Sequence, residues 1–143
     1  MRLTIVVVGK VKEKVYLDRI REYRKWVEKD IPVNLIFLKD GKPEQVESKQ
    51  LIHMDSASFS VCLTEEGKQV TSREFSDFIY KQNRDIVFLI GGPDGHSKAI
   101  RQKADLLLSF SKMTLPHEMA LLVLSEQLFR AVSINKGSKY HRD

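Results

Sequence analysis

Short apolar runs alternate with segments of helical periodicity along this chain, and that alternation constrains its fold more than any other feature. Leu3–Val8 is a continuous apolar run rich in β-branched residues, the pattern of a strand buried on both faces. Tyr16, Ile20, Tyr23 and Val27 follow at helical spacing with Lys and Arg between them. Asn34–Leu38 reads as a second strand, and a weaker helix is expected from about Glu44 to His53. Ser58–Leu63 is the third strand, closed by the turn Thr64–Lys68. Thr71 with Glu74 three residues on makes a capping box for a helix carrying Phe75, Phe78 and Ile79. Ile86–Ile90 is a fourth strand, Ser97–Ala104 a short helix and Leu106–Ser109 a fifth strand. A last helix starts near Pro116, a residue favoured in a first helical turn, and stops near Gly137. Such alternation predicts an α/β fold with a mainly parallel sheet and helices on both faces.

At 143 residues the chain is expected to form one domain, 1–143, with no repeat, low-complexity tract or linker. Lys and Arg outnumber Asp and Glu by 24 to 19, a balance that favours an anionic partner. The single cysteine, Cys62, excludes an internal disulfide framework and a Cys-rich zinc site. Lying in the apolar run Phe59–Leu63, it reads as a small buried hydrophobe. No segment offers the roughly 20 apolar residues of a membrane span. The apolar opening has no small-residue cleavage site after it and turns charged at once, so it reads as a strand and not a signal peptide. A cytoplasmic protein without membrane contact is expected.

The first half of the last helix is apolar nearly all round: Met119, Leu121, Leu122, Val123 and Leu124 leave almost no polar face. Such a helix has to be covered on more than one side. In a small domain one side meets the sheet, and a second subunit is expected to cover the other; burial entirely within one chain is the plain alternative.

Two turns carry the candidate chemistry. Gly91-Gly92-Pro93-Asp94-Gly95 follows a buried strand, at the end where open α/β sheets collect ligands. Its glycines permit close backbone approach, yet the spacing is neither GxGxxG nor a Walker loop. A tight strand–helix connection explains the local residues equally well. In the second turn, Ser111, Lys112 and Thr114 alternate with Phe110, Met113 and Leu115. That mixture suits a nucleoside, whose ring takes apolar walls and whose edges take main-chain donors and acceptors. An ordinary strand end and helix cap is the alternative. His117 has no companion at metal-ligand spacing, and no metal is expected.

The chain ends in Lys136-Gly137-Ser138-Lys139-Tyr140-His141-Arg142 followed by Asp143. Arg130, Lys136, Lys139 and Arg142 suit phosphates, and Tyr140 or His141 suits stacking on an unstacked base. A solvated, frayed terminus is the plain alternative.

The segments GGPDG, LSFSKMTLPHE, EQLFRA and YHR, in this order and spacing, closely resemble the RlmH family of SPOUT-class methyltransferases. The resemblance covers nearly the whole chain, including the opening VVVGKVKEKVY and Tyr23. The stretch from Lys39 to Ser58 lacks specific motifs and looks shortened. The chain departs from the family at His96, where an aliphatic residue is frequent, and at Leu121, where many members carry arginine.

The resemblance implies a trefoil knot in the carboxyl-terminal half, S-adenosylmethionine as cofactor and a homodimer. It places cofactor contacts on Leu63, Gly91, Phe110, Ser111, Lys112, Met113, Thr114 and Leu115. It further implies methylation at N3 of a pseudouridine in 23S ribosomal RNA, within the large subunit or the assembled ribosome. In that reaction the base nitrogen displaces the methyl from its sulfonium, so alignment supplies most of the catalysis. The imide nitrogen also has to lose a proton, which makes His141 and Arg142 the candidate catalytic groups, with Tyr140 holding the base. Two rival readings are a SPOUT enzyme acting on another RNA such as transfer RNA, and a non-catalytic RNA-binding factor.

Overall fold

The computed structural model describes residues 1–143. Five strands, β1 (Leu3–Val8), β2 (Val33–Leu38), β3 (Phe59–Gln69), β4 (Ile86–Ile90) and β5 (Leu106–Ser109), form one sheet in the order β2-β1-β4-β3-β5. All four neighbouring pairs are parallel. The helices are α1 (Lys14–Val27), α2 (Pro43–Ile52), α3 (Ser72–Lys81), α4 (Lys98–Lys103) and α5 (His117–Lys136).

Alternation along the strands sorts the side chains onto two faces. Leu3, Ile5 and Val7 of β1, with Ile86, Phe88 and Ile90 of β4, join Ile20 and Val27 of α1, Ile79 of α3 and Leu121, Leu124 and Leu128 of α5 in the main core. Val6, Cys62, Val87 and Leu89 face the other way and join Met54 and Ile100 in a second, smaller core. Both faces of the sheet are therefore covered, which is why β1 and β4 read as unbroken apolar runs. Cys62 is fully buried, and burial pushes its thiol up to about 12, so it serves as packing.

Local signals set several boundaries. The Thr71 hydroxyl accepts from the Glu74 amide at 3.1 Å, and the Glu74 carboxylate accepts from the Thr71 amide at 2.8 Å. That reciprocal cap starts α3. Pro116 stands just before α5 with extended ψ of 148°, one residue ahead of the first helical turn. At the other end Gly137, in the left-handed region at φ 73°, donates to Ile134 O while Ser138 donates to Ser133 O. This paired closure turns the chain back along α5.

One expectation needs correcting. Thr64–Lys68 is no turn, because β3 runs on to Gln69. The strand leaves its register with β5 after Leu63 and regains it at Lys68, both residues facing Leu108. Gly67 lies so close to β5 that a Cβ there would lie 2.6 Å from the carbonyl carbon of Leu107. Polar residues that look like a turn are thus a bulge, which re-aims side chains without ending the strand. No helix is long and apolar enough to cross a membrane.

Candidate active site

The carboxyl ends of β3, β4 and β5 open into a cavity of about 600 Å³, a size that suits a nucleoside-bearing ligand. Leu63, Ile90 and Leu108 form its floor. The Gly91–Gly95 turn forms one wall. There Gly95, at φ 71°, donates its N–H to Gly92 O at 2.9 Å and closes the turn. A Cβ on Gly91 would lie 2.9 Å from the carbonyl carbon of Gly95. The glycine is therefore required by the turn itself, before any ligand enters.

The opposite wall is the loop after β5. Ser109 Oγ donates to Ser111 O at 2.8 Å, and Ser111 Oγ accepts from the Met113 amide at 3.0 Å. These bonds curl the loop so that Phe110, Ser111, Met113, Thr114 and Leu115 line the cavity. Lys112 is exposed and does not line it. The β3 bulge contributes Thr64 and Glu65, with Thr114 Oγ1 donating to Glu65 Oε1 at 3.4 Å. Sequence reasoning missed these two by reading the bulge as a turn; a carboxylate-rich run directly after a buried strand was the available signal.

Two histidines complete the rim. His96 Nε2–H donates to Leu89 O at 3.1 Å, and its Nδ1 accepts from Gln50 Nε2 at 3.3 Å. Gln50 is itself buried in α2. Burial lowers the His96 pKa, only partly offset by its bonds to main-chain carbonyl groups, so the ring is neutral. At the start of α5, His117 Nε2–H donates to Lys10 O at 2.6 Å. Its ring lies against Gly9, whose φ of 99° carries the chain out of β1. His117 is a structural wall between that loop and the cavity. Leu121, the other departure from the family, is fully buried in the main core and offers nothing to RNA or a partner.

The tail lies elsewhere. Tyr140 donates its hydroxyl to Glu126 Oε2 at 2.8 Å, its ring meets Phe129 edge-on at 4.7 Å, and the Arg130 guanidinium covers it at 4.8 Å. His141 Nδ1 accepts from Arg130 at 3.1 Å, and its Nε2 lies 3.1 Å from Asp143. Asp143 in turn forms a two-pronged pair with Arg73, both distances 2.7 Å. Arg142 is exposed. The tail is thus docked on α5 and α3, not frayed. Glu126 lies nine residues beyond His117, so the dock is about 13 Å along the helix axis from its cavity end. None of Tyr140, His141 and Arg142 lines the cavity of its own chain.

A glycine-walled cavity thus stands at the strand ends of a parallel sheet, assembled from segments far apart in the chain. Residues 1–141 match the family model described as "Predicted SPOUT methyltransferase". The chain belongs to the SPOUT methyltransferase family. It is 37% identical to the ribosomal RNA large subunit methyltransferase H of Coprothermobacter proteolyticus, covering 99% of this chain and 100% of that one. It is 39% identical to the protein of the same name from Streptococcus uberis, with the same coverage. The Thermus thermophilus protein of that name is 36% identical over 99% of each chain. Among solved structures, a probable methylase family protein from Haemophilus influenzae superposes with a TM-score of 0.59 at 13% identity, covering 99% of this chain and 70% of that one. The SpoU methyltransferase AviRb from Streptomyces viridochromogenes, solved with AdoMet, gives 0.53 at 14% identity over 96% of this chain and 59% of that one. These two likenesses concern the fold alone.

Proposed function

We propose that this chain is an S-adenosylmethionine-dependent methyltransferase that methylates N3 of a pseudouridine in 23S ribosomal RNA. The observation that carries the reading is the assembly of three distant segments, Leu63–Glu65, Gly91–His96 and Phe110–Leu115, into one nucleoside-sized cavity. Full-length likeness to large-subunit methyltransferases from three genera supports the choice of substrate.

The residues present fit the cofactor. Phe110, Met113 and Leu115 supply apolar walls, while the glycine turn and the curled loop leave main-chain groups near the cavity for the edges of an adenine and its ribose. Leu63, Gly91, Ser111 and Thr114 complete the set of proposed contacts, and Lys112, which lies outside the cavity, is not among them. Bound there, the cofactor supplies a methyl group on a good leaving group. The protein's own work is alignment, exclusion of water and management of one proton.

Tyr140, His141 and Arg142 are the groups assigned to the base. Burial and then the bond to Glu126 push the Tyr140 phenol above its ordinary range, so it stays protonated and its ring serves as a platform. Arg142 stabilises the imide anion, and His141 takes the proton once its Nδ1 leaves Arg130. Since tail and cavity of one chain are apart, a homodimer brings the tail of one copy to the cavity of the other. Its interface uses Leu122 and Val123, the half-covered flank of α5. The whole chain, 1–143, acts as one domain, and the trefoil knot of the family runs through its carboxyl-terminal half.

Transfer of tritiated methyl to ribosomes, large subunits and transfer RNA, followed by mapping of the modified nucleotide, tests the reading. Label confined to a 23S pseudouridine is expected. Label on transfer RNA, or none on any RNA despite cofactor binding, overturns it.

A further inference from the structure

The geometry points to the loop Gly9–Lys14 as the phosphate grip of this enzyme, a cationic rim held at the mouth of the cofactor cavity that binds the RNA backbone beside the target nucleotide. The inference rests on the proposed RNA substrate and adds the surface that recognises it.

Three contacts hold the loop. Gly9 leaves β1 at φ 99° and passes so close to His117 that a Cβ would lie 3.1 Å from its Nε2. His117 Nε2–H donates to Lys10 O at 2.6 Å. Glu118, in the first turn of α5, accepts from the Lys12 amide, and the Glu13 amide lies 3.4 Å from the same oxygen. His117 also lines the cavity, so one side chain forms a wall shared by loop and ligand site.

The loop is polar in a directed way. Lys10, Lys12 and Lys14 are all exposed, and none takes part in any ion pair of the chain. Two acids lie nearby, Glu13 and Glu118, and the Glu118 oxygen is turned inward onto main-chain N–H groups. Lys10 to Lys25 holds seven cationic against three acidic side chains, so most of the chain's formal +5 collects on this loop and α1. A pinned backbone carrying unpaired ammonium groups suits phosphate, because the lysines release counterions on binding while the main chain has already been ordered.

The test compares the parent with K10Q/K12Q/K14Q and with K10R/K12R/K14R. Fluorescently labelled ribosomes are titrated from about 50 to 200 mM salt, and S-adenosylmethionine is titrated separately. The Gln variant is expected to keep the parent's melting temperature and cofactor affinity. Its slope of log affinity against log salt should fall by about 2, at roughly 0.7 for each phosphate no longer neutralised. The Arg variant should restore the slope. A Gln variant that binds RNA with the parent's slope overturns the inference, as does one whose main loss is cofactor affinity. A parent that binds no ribosome overturns the functional reading as well, which separates the two failures.

Discussion

His96 donates its Nε2–H to the main-chain oxygen of Leu89 at 3.1 Å, tying the turn that follows β4 back onto the strand it leaves. The same ring accepts from buried Gln50 of α2. A residue just past the glycine turn thereby links the cavity wall to the far face of the sheet.

That link makes stability depend on pH. Above about pH 6.5, the ordinary value for histidine, the ring is neutral folded and unfolded, and its contribution is fully present. As pH falls, the unfolded chain takes up a proton that the folded chain resists, because burial lowers the folded pKa. Stability should decline by up to about 1.4 kcal/mol per pH unit until that lowered pKa is reached. His96→Leu should remove this share of the slope. Urea denaturation across the range, with both proteins showing equal slopes, would reject the assignment.

Gly67→Ala should destabilise the protein by roughly 1–3 kcal/mol, the usual range for forced overpacking. The added methyl would press on the main chain of Leu107 and Leu108, which has no flexible end to yield. Circular dichroism melting decides it, and an unchanged midpoint would mean that β5 yields to a methyl group at the Gly67 contact.

Gly91→Ala should weaken S-adenosylmethionine binding at least about tenfold, a loss of about 1.4 kcal/mol. Its methyl meets the Gly95 main chain, so the turn has to open before the ligand arrives. Calorimetric titration that finds parental affinity would place the cofactor elsewhere.

Deleting Tyr140–Asp143 should leave cofactor affinity unchanged, since these residues do not line the cavity. The melting temperature should fall by a few degrees without loss of the fold, because the Tyr140 contacts with Glu126, Phe129 and Arg130 are lost while the Arg73–Asp143 pair is exposed and screened by solvent. Methyl transfer should collapse. Mixing this truncated chain with Gly91→Ala should restore part of the activity, as a dimer then combines one intact cavity with one intact tail. Activity that never exceeds the sum of the two variants argues for a tail acting within its own chain.

Short-range physics is legible along the chain, and it set much of the fold. Strand and helix positions followed from apolar period, the start of α3 from Thr71 and Glu74, and the end of α5 from Gly137. The motif resemblance located most of the cavity as well, through Gly91 and the Phe110–Leu115 loop. Folding in three dimensions was needed to place Glu65 beside Thr114, His96 between Leu89 and Gln50, and His117 against Gly9. Each of these pairings, apart from His96 with Leu89, joins residues more than forty positions apart. Local periodicity carries no information about such meetings, because sheet order and the bulge of β3 against β5 decide them. The tail shows the same division. Its composition marked it for RNA, but its dock on Glu126, Phe129 and Arg130 depends on the reversal at Gly137 and on the face that α5 leaves open.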